Sequence, residues 1–251
     1  MSPRNICLVL VTATAVLTGC AGVSTAKLHY SLHQDPDARP LQRVALLPLD
    51  VDVYEMSAGG VREEVPEWSA AAETNIRAAL LISRDRSGGC CVTERVDSSR
   101  LTDQERALLE EHLALYRTVV FNAMLYGASW ANKKDRFDYT LGEGLQFLKT
   151  RYGVDAGLIV IGHDVVSSTG RKTTAAVGAL FGIALPLGHS LLIGGLVDFE
   201  SGDLLWLNRV IAAGGTTDLR DADSSLKLAG ELVQGYPGLK ASRTTAQKTG
   251  E

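Results

Sequence analysis

The chain has little of what marks the common enzyme and scaffold classes. Four cysteines in 251 residues are too few for a disulfide framework. Five histidines, His29, His33, His112, His163 and His189, show neither HExxH nor Cys-His spacing, so no metal set is indicated. There is no basic block: 25 Lys and Arg stand against 29 Asp and Glu, a formal charge of −4, which argues against a nucleic-acid surface. With 45% hydrophobic and 22% charged residues, the composition excludes both a disordered polyelectrolyte and a multi-span membrane protein.

Catalytic motifs are missing as well. Gly170-Arg-Lys-Thr173 follows an apolar run as a phosphate loop would, but the nearest upstream glycine, Gly162, lies eight residues before Gly170 instead of five. Arg171 also stands where that motif needs Lys. Ser224-x-x-Lys227 and Lys248-Thr-Gly250 match fragments of the penicillin-recognising enzymes, yet they lie close together without a Ser-Asp-Asn element. No cofactor is implied. His163-Asp164, near the end of an apolar run, is the one neighbouring pair able to serve acid-base or metal chemistry, and it carries the alternative reading of a hydrolase.

The N-terminus is where the sequence speaks clearly. Arg4 supplies positive charge, Ile6 to Leu17 form an apolar run, and Leu17-Thr-Gly-Cys20 closes it with small residues before a cysteine. The run is about twelve residues, short of the ~20 needed for a helical span. The segment resembles the lipobox of bacterial lipoproteins. That resemblance implies cleavage before Cys20, a diacylglyceryl thioether on Cys20 and acylation of the new amino terminus, palmitate being the acyl group expected. Because Ala21 and Gly22 follow without Asp, it also implies outer-membrane sorting with the domain facing the periplasm. Several chains anchor stably where one binds marginally, since each buried methylene contributes ~0.8 kcal/mol.

This gives four segments: a signal peptide over 1–19, a lipidated N-terminus and tether over 20–42, an α/β domain over 43–237, and a disordered tail over 238–251. The tether mixes Ser, His, Asp, Pro and Arg without periodicity. Loss of Arg4 leaves the mature side chains at −5.

Within the domain, Arg43 to Glu55 opens with a β-branched run and then alternates Val51 and Val53 with Asp50 and Asp52, the pattern of a strand leaving the core. Trp68, Ala72, Ile76, Ala79 and Leu80 recur at helical spacing behind Pro66. Cys90-Cys91-Val-Thr-Glu-Arg-Val reads as a short strand. Its adjacent thiols would face opposite sides, and the other reading is a strained, redox-active pair.

Thr102-x-x-Glu105 is a capping box that opens a long helix ending near Gly127, and Thr140-x-x-Glu143 repeats the pattern before a shorter helix closed by Gly153. Ala156 to Val166 is apolar nearly throughout, as a strand covered on both faces would be. Ser190 to Ala213 reads as a hairpin turning at Glu200-Ser-Gly-Asp203, and Asp221 or Asp223 caps a last helix through Leu232. The order is β-α-β-α-α-β-β-β-α, an α/β sandwich with helices on a mixed sheet.

Thr173 to Val197 contains no Asp, Glu, Lys or Arg and is long enough to cross a bilayer, but five glycines, Pro186 and His189 argue against one continuous helix. We expect Leu192, Ile193, Leu196 and Val197 in a core strand, and Ala175 to Leu187 in a less regular apolar element. Val177, Leu180, Phe181, Ile183 and Leu185 of that element are the candidates for contact with membrane or a second copy.

The lipobox, the VALLPL first strand, the Gly-rich apolar stretch and the late LVDFESGDLLWLN pair together resemble outer-membrane lipoproteins whose periplasmic domain is similar to the α/β domain of the curli-secretion lipoprotein and of the TolB amino-terminal region. The resemblance implies envelope assembly and partner docking. For the curli-secretion kind it implies a ring whose subunits donate hairpins to a barrel, although no pair of long amphipathic hairpins is present here. The sequence thus leads to a non-enzymatic outer-membrane lipoprotein held by a lipid anchor, binding an envelope protein and self-associating in the export-channel alternative, with no nucleic-acid partner.

Overall fold

The computed structural model describes residues 26–34, 43–86, 92–125, 133 and 136–237. The signal segment, Cys20, Cys90, Cys91 and the tail from 238 onward lie outside the described residues.

An eight-stranded mixed sheet forms the centre of an α/β sandwich. Its strands are β1 (Lys27–Leu28), β2 (Val44–Leu46), β3 (Asp50–Met56), β4 (Arg62–Glu64), β5 (Val92–Arg95), β6 (Ala156–Ser167), β7 (His189–Asp198) and β8 (Leu204–Ala212). The main order is β1-β8-β7-β6-β2-β5. β6 is long enough to pair two strands in parallel on one edge: Val44–Leu46 lie beside Ala156–Leu158, and Asp50–Met56 lie beside Ile161–Ser167. The expected single first strand is therefore two, with Pro48 in the gap. Proline has no N–H to give a ladder, which fits the interruption there.

Among the described residues six α-helices accompany the sheet: α1 (Tyr30–Gln34), α2 (Pro66–Arg86), α3 (Asp103–Leu125), α4 (Gln146–Tyr152), α5 (Thr169–Leu180) and α6 (Ala222–Leu232). On one side α2 and α6 bury Ala72, Ile76, Leu80, Leu228 and Leu232 against Val51, Val53, Leu158, Leu192, Leu196 and Trp206. These side chains are removed from water almost completely, and each large one contributes about 1.5–3 kcal/mol. On the other side α3 and α4 place Leu109, Tyr116, Val120 and Leu148 against Ala45, Leu47, Ile159, Val197 and Leu207.

Local chemistry explains the helix ends. At the start of α3 the Thr102 N–H donates to Glu105 Oε2 at 2.8 Å, and the Glu105 N–H returns to Thr102 Oγ1 at 3.3 Å, a complete capping box. The second expected box does not form. Gly142 sits at φ +77° and turns the chain, its N–H donating to Thr140 Oγ1, while Thr140 makes an isolated bridge to Asp203. α4 ends on Gly153 at φ +62°, the left-handed closure glycine adopts without Cβ strain. Asp221, not Asp223, caps α6 by accepting from the Ser224 N–H at 2.8 Å.

Two further expectations change. Residues assigned to the tether contribute β1, which pairs Lys27 with Leu207 and Leu28 with Trp206, and α1, so the sheet begins well before residue 43. The apolar stretch after β6 is irregular only in its second part, residues 181–188: its first part is the regular helix α5, capped by Ser168 accepting from the Arg171 N–H. As expected, the stretch is not one continuous helix but divides between α5 and β7, and among the described residues no helix is long and apolar enough to cross a membrane. The remainder holds for Leu192, Leu196 and Val197, fully buried in β7, which joins β8 in the expected hairpin, while Ile193 of the same strand is only half-buried.

Candidate functional site

Alternation along β3, β6 and β7 sends Asp50, Asp52, Tyr54, Ile161, His163, Val165, Leu191 and Ile193 to the face that carries α3. The helix covers only part of that face. Tyr116 and Val120 close over the sheet near Gly195, and beyond them a groove of about 550 Å³ opens between the last turns of α3 and the far ends of β3, β6 and β7. The apolar run of β6 predicts cover on both faces. Ala156–Val160 have it, but Ile161, Gly162 and His163 are only half-buried.

A glycine sets the boundary of the covered part. A Cβ on Gly195 would stand 2.5 Å from Tyr116 Oη and 2.6 Å from a ring carbon, so only glycine lets that ring rest on β7. The Tyr116 hydroxyl is buried with no hydrogen-bond partner among the described residues, and burial pushes its pKa far up.

The groove has an apolar floor of Ile161, Val165, Leu191 and Ile193 and a polar wall of Asp50, Asp52, Tyr54, Arg62 and Arg117. Arg117 Nε donates to Asp50 Oδ2 at 2.6 Å and ties α3 to β3 across the mouth. Phe121, 59% exposed, overhangs the opening. Burial, with Asp52 and Glu64 nearby, raises the Tyr54 pKa and keeps the phenol neutral.

His163, which lines the groove, meets His189 Nε2 to Nε2 at 3.0 Å with the rings at 90°. One ring must donate and the other accept, so the contact holds a single proton. Burial lowers both pKa values, and Arg62 adds repulsion to each. Among the described residues no group of three His, Cys, Asp or Glu is placed to hold a metal.

The pairing of His163 with Asp164 in sequence does not survive in space, because neighbours on a strand face opposite ways. Asp164 is fully buried on the α6 side, where it accepts from Ser190 Oγ at 2.8 Å and from the Leu219 N–H at 2.8 Å. Burial raises its pKa in spite of these bonds. Ser190 Oγ also meets Thr217 Oγ1 at 2.7 Å, so these polar groups fasten the loop after β8 to the sheet. Sequence reasoning missed the groove wall. The signal was the alternation of Asp50, Asp52 and Tyr54, which pointed to an uncovered strand face.

The candidate contact residues lie elsewhere, on the α5 outgrowth between β6 and β7. Val177, Leu180, Phe181 and Ile183 are 49%, 83%, 77% and 55% exposed. Leu185 differs: it is half-buried and folds back toward Gly178, so it braces the returning chain. At the base, Arg171, which stands where a phosphate loop would need Lys, is buried, its guanidinium donating to the Pro186 carbonyl at 3.0 and 3.2 Å and to the Ala58 carbonyl at 3.4 Å. It is a structural latch.

No family model and no curated protein matches this chain. Two solved structures are similar to it in part. A point-variant PelC dodecamer from Paraburkholderia phytofirmans has 11% identity and a TM-score of 0.40, over 87% of this chain and 99% of that one. A second PelC dodecamer from Paraburkholderia phytofirmans has 11% identity and a TM-score of 0.37, over 87% and 98%.

Proposed function

We propose that this chain is a lipid-anchored protein of the outer membrane whose α/β domain faces the periplasm and binds an envelope partner without catalysing a reaction. The observation that carries the reading is the open half of the α3-side sheet face, an apolar floor beside a charged wall, in a chain whose Leu17-Thr-Gly-Cys20 segment resembles a lipobox. Such a mixture suits a polypeptide segment with one apolar and one polar side, which the floor desolvates and the wall orients.

The arrangement of titratable groups supports a binding role over a hydrolytic one. His163 and Asp164 lie on opposite faces, and Ser190 spends its hydroxyl on Asp164 and Thr217. A nucleophile needs a base such as an imidazole within hydrogen-bond reach, and the bonds of this hydroxyl go to a carboxylate and another hydroxyl.

The test is site-specific photo-cross-linking in intact envelopes, with the full chain carrying the photoreactive residue at Phe121 in one variant and at exposed Leu81 of α2 in another. We expect Phe121 to yield a discrete adduct that Leu81 does not, and Leu191→Glu to abolish it. Equal, diffuse labelling from both sites would reject the groove as a docking site.

A further inference from the structure

We propose that the tip of the α5 outgrowth dips into the lipid leaflet that holds the acylated N-terminus, giving the domain a second membrane contact and a fixed orientation. This rests on the anchor reading above and adds to it a surface and its partner, a phospholipid bilayer.

The first argument is the distribution of polarity. α5 begins with Arg171 and Lys172, and no charged side chain follows until Asp198. From Thr173 to Ala184 every residue is exposed except Ala175 and Gly178, which are half-buried. A helix that docks on a folded partner usually carries one apolar stripe and one polar face. Here the distal end is apolar on all sides and the proximal end is polar, so the division runs along the helix axis. A planar boundary between water and lipid matches that division.

The length agrees. Residues 175 to 180 rise about 9 Å at 1.5 Å per residue, comparable to the ~5–10 Å to which interfacial elements sink. Phe181 and Ile183 lie at the turn beyond the helix, where Gly182 at φ +74° reverses the chain.

The second argument is topological. β1 is antiparallel to β8, with Lys27 opposite Leu207 and Leu28 opposite Trp206. Going backward from Lys27, the strand direction therefore points toward Ala212, which pairs with Ser190 at the sheet end from which α5 rises. Ala212 lies five residues beyond Leu207, about 17 Å along the strand. Cys20 is seven residues before Lys27, and seven residues reach at most about 25 Å. The direction in which the chain leaves Lys27 thus leads toward the end of the sheet that bears the apolar tip, and the tether is long enough to clear that end. A second copy covering the tip would not call for this coincidence.

The experiment uses the full, acylated chain in vesicles of phosphatidylethanolamine and phosphatidylglycerol, with Cys90 and Cys91 replaced by Ser. A single cysteine at Phe181, Thr173 or Phe121 carries an environment-sensitive fluorophore. Label at Phe181 should shift to the blue and lose most of its emission to nitroxide-bearing lipids, whereas label at Phe121 should do neither and Thr173 should fall between. Leu180→Asp, placed beside the Phe181 label, should reverse the shift and the quenching while the thermal midpoint stays unchanged. A Phe181 label that stays as solvent-exposed as Phe121 overturns the proposal. So does one that is shielded but untouched by the lipid quencher and self-quenches between copies, which would assign the tip to a second copy. Vesicle flotation reads the anchor separately: a chain that floats without quenching at Phe181 refutes the tip contact alone, and a chain that does not float refutes the anchor.

Discussion

His163 and His189 share one proton across a 3.0 Å contact between their Nε2 atoms, at the border of a groove walled in part by Arg62. The folded state depresses both imidazole pKa values below 6.5. The unfolded chain therefore binds more protons than the folded one as pH falls below about 6.5, and folding stability declines there. We expect the thermal midpoint to be flat above pH 7 and to fall toward pH 5, with a shallower fall in the His163→Gln, His189→Gln double variant. Asp164, whose pKa is raised, acts in the opposite sense: its folded form gains protons first on acidification, and the double variant leaves that part unchanged. Parallel pH profiles for the two proteins would contradict the histidine assignment.

Asp164 should matter to the fold more than to any reaction. Asp164→Ala strands the buried Leu219 N–H, an omission that costs about 1–3 kcal/mol beyond the lost packing. Denaturant unfolding should show that loss. Cross-linking from Phe121, on the opposite face, should persist under conditions where the variant remains folded.

Tyr116 and Gly195 give a paired test of packing. Tyr116→Phe removes a hydroxyl that has no partner among the described residues, so stability should be unchanged or rise by up to about 1 kcal/mol. Gly195→Ala forces a methyl group into the ring and should cost about 1–3 kcal/mol by overpacking. Equilibrium urea melts on the single variants measure both, and a stable Gly195→Ala protein would show that α3 can shift away from the sheet.

Leu196 and Phe181 belong to the same uncharged stretch but to different environments, 0% and 77% exposed. Leu196→Asp places a charge where neither water nor a counter-ion reaches it and should unfold the domain, whereas Phe181→Asp should leave the melting temperature within about a degree. Calorimetry at one protein concentration separates them.

Arg171 should control the outgrowth locally. Arg171→Ala removes its bonds to the Pro186 and Ala58 carbonyls, and amide exchange should accelerate over residues 172–188 while β7 beyond Leu192 keeps its protection. Acceleration throughout the sheet would mean that the latch supports the whole domain.

These elements differ in how far the amino-acid sequence makes them legible. Strong periodic signals carry the main helices and the β7–β8 hairpin, because their patterns arise from burial on one side of a regular element. The capping box at Thr102 is readable because its bonds are local. That at Thr140 fails because Gly142 and the bridge to Asp203, 63 residues away, decide the backbone there. β1 has two residues and no periodicity of its own, so only β8, far along the chain, defines it. The groove is hidden for a related reason: residue types show that one face of β3 is polar, but not where α3 stops covering β6 and β7.

The short strand at Lys27 has a mechanical consequence. If Cys20 is anchored as proposed and the chain before Lys27 continues in line with the strand, a pull from it acts along β1, across its ladder to β8 and the adjoining bond from the His29 N–H to the Leu205 carbonyl. Loaded in shear, such bonds bear tension together, whereas bonds peeled from one end break in succession. The force then enters β8, which β7 and the core hold on its other edge. On the anchor reading, a load on the tether therefore meets the sheet first.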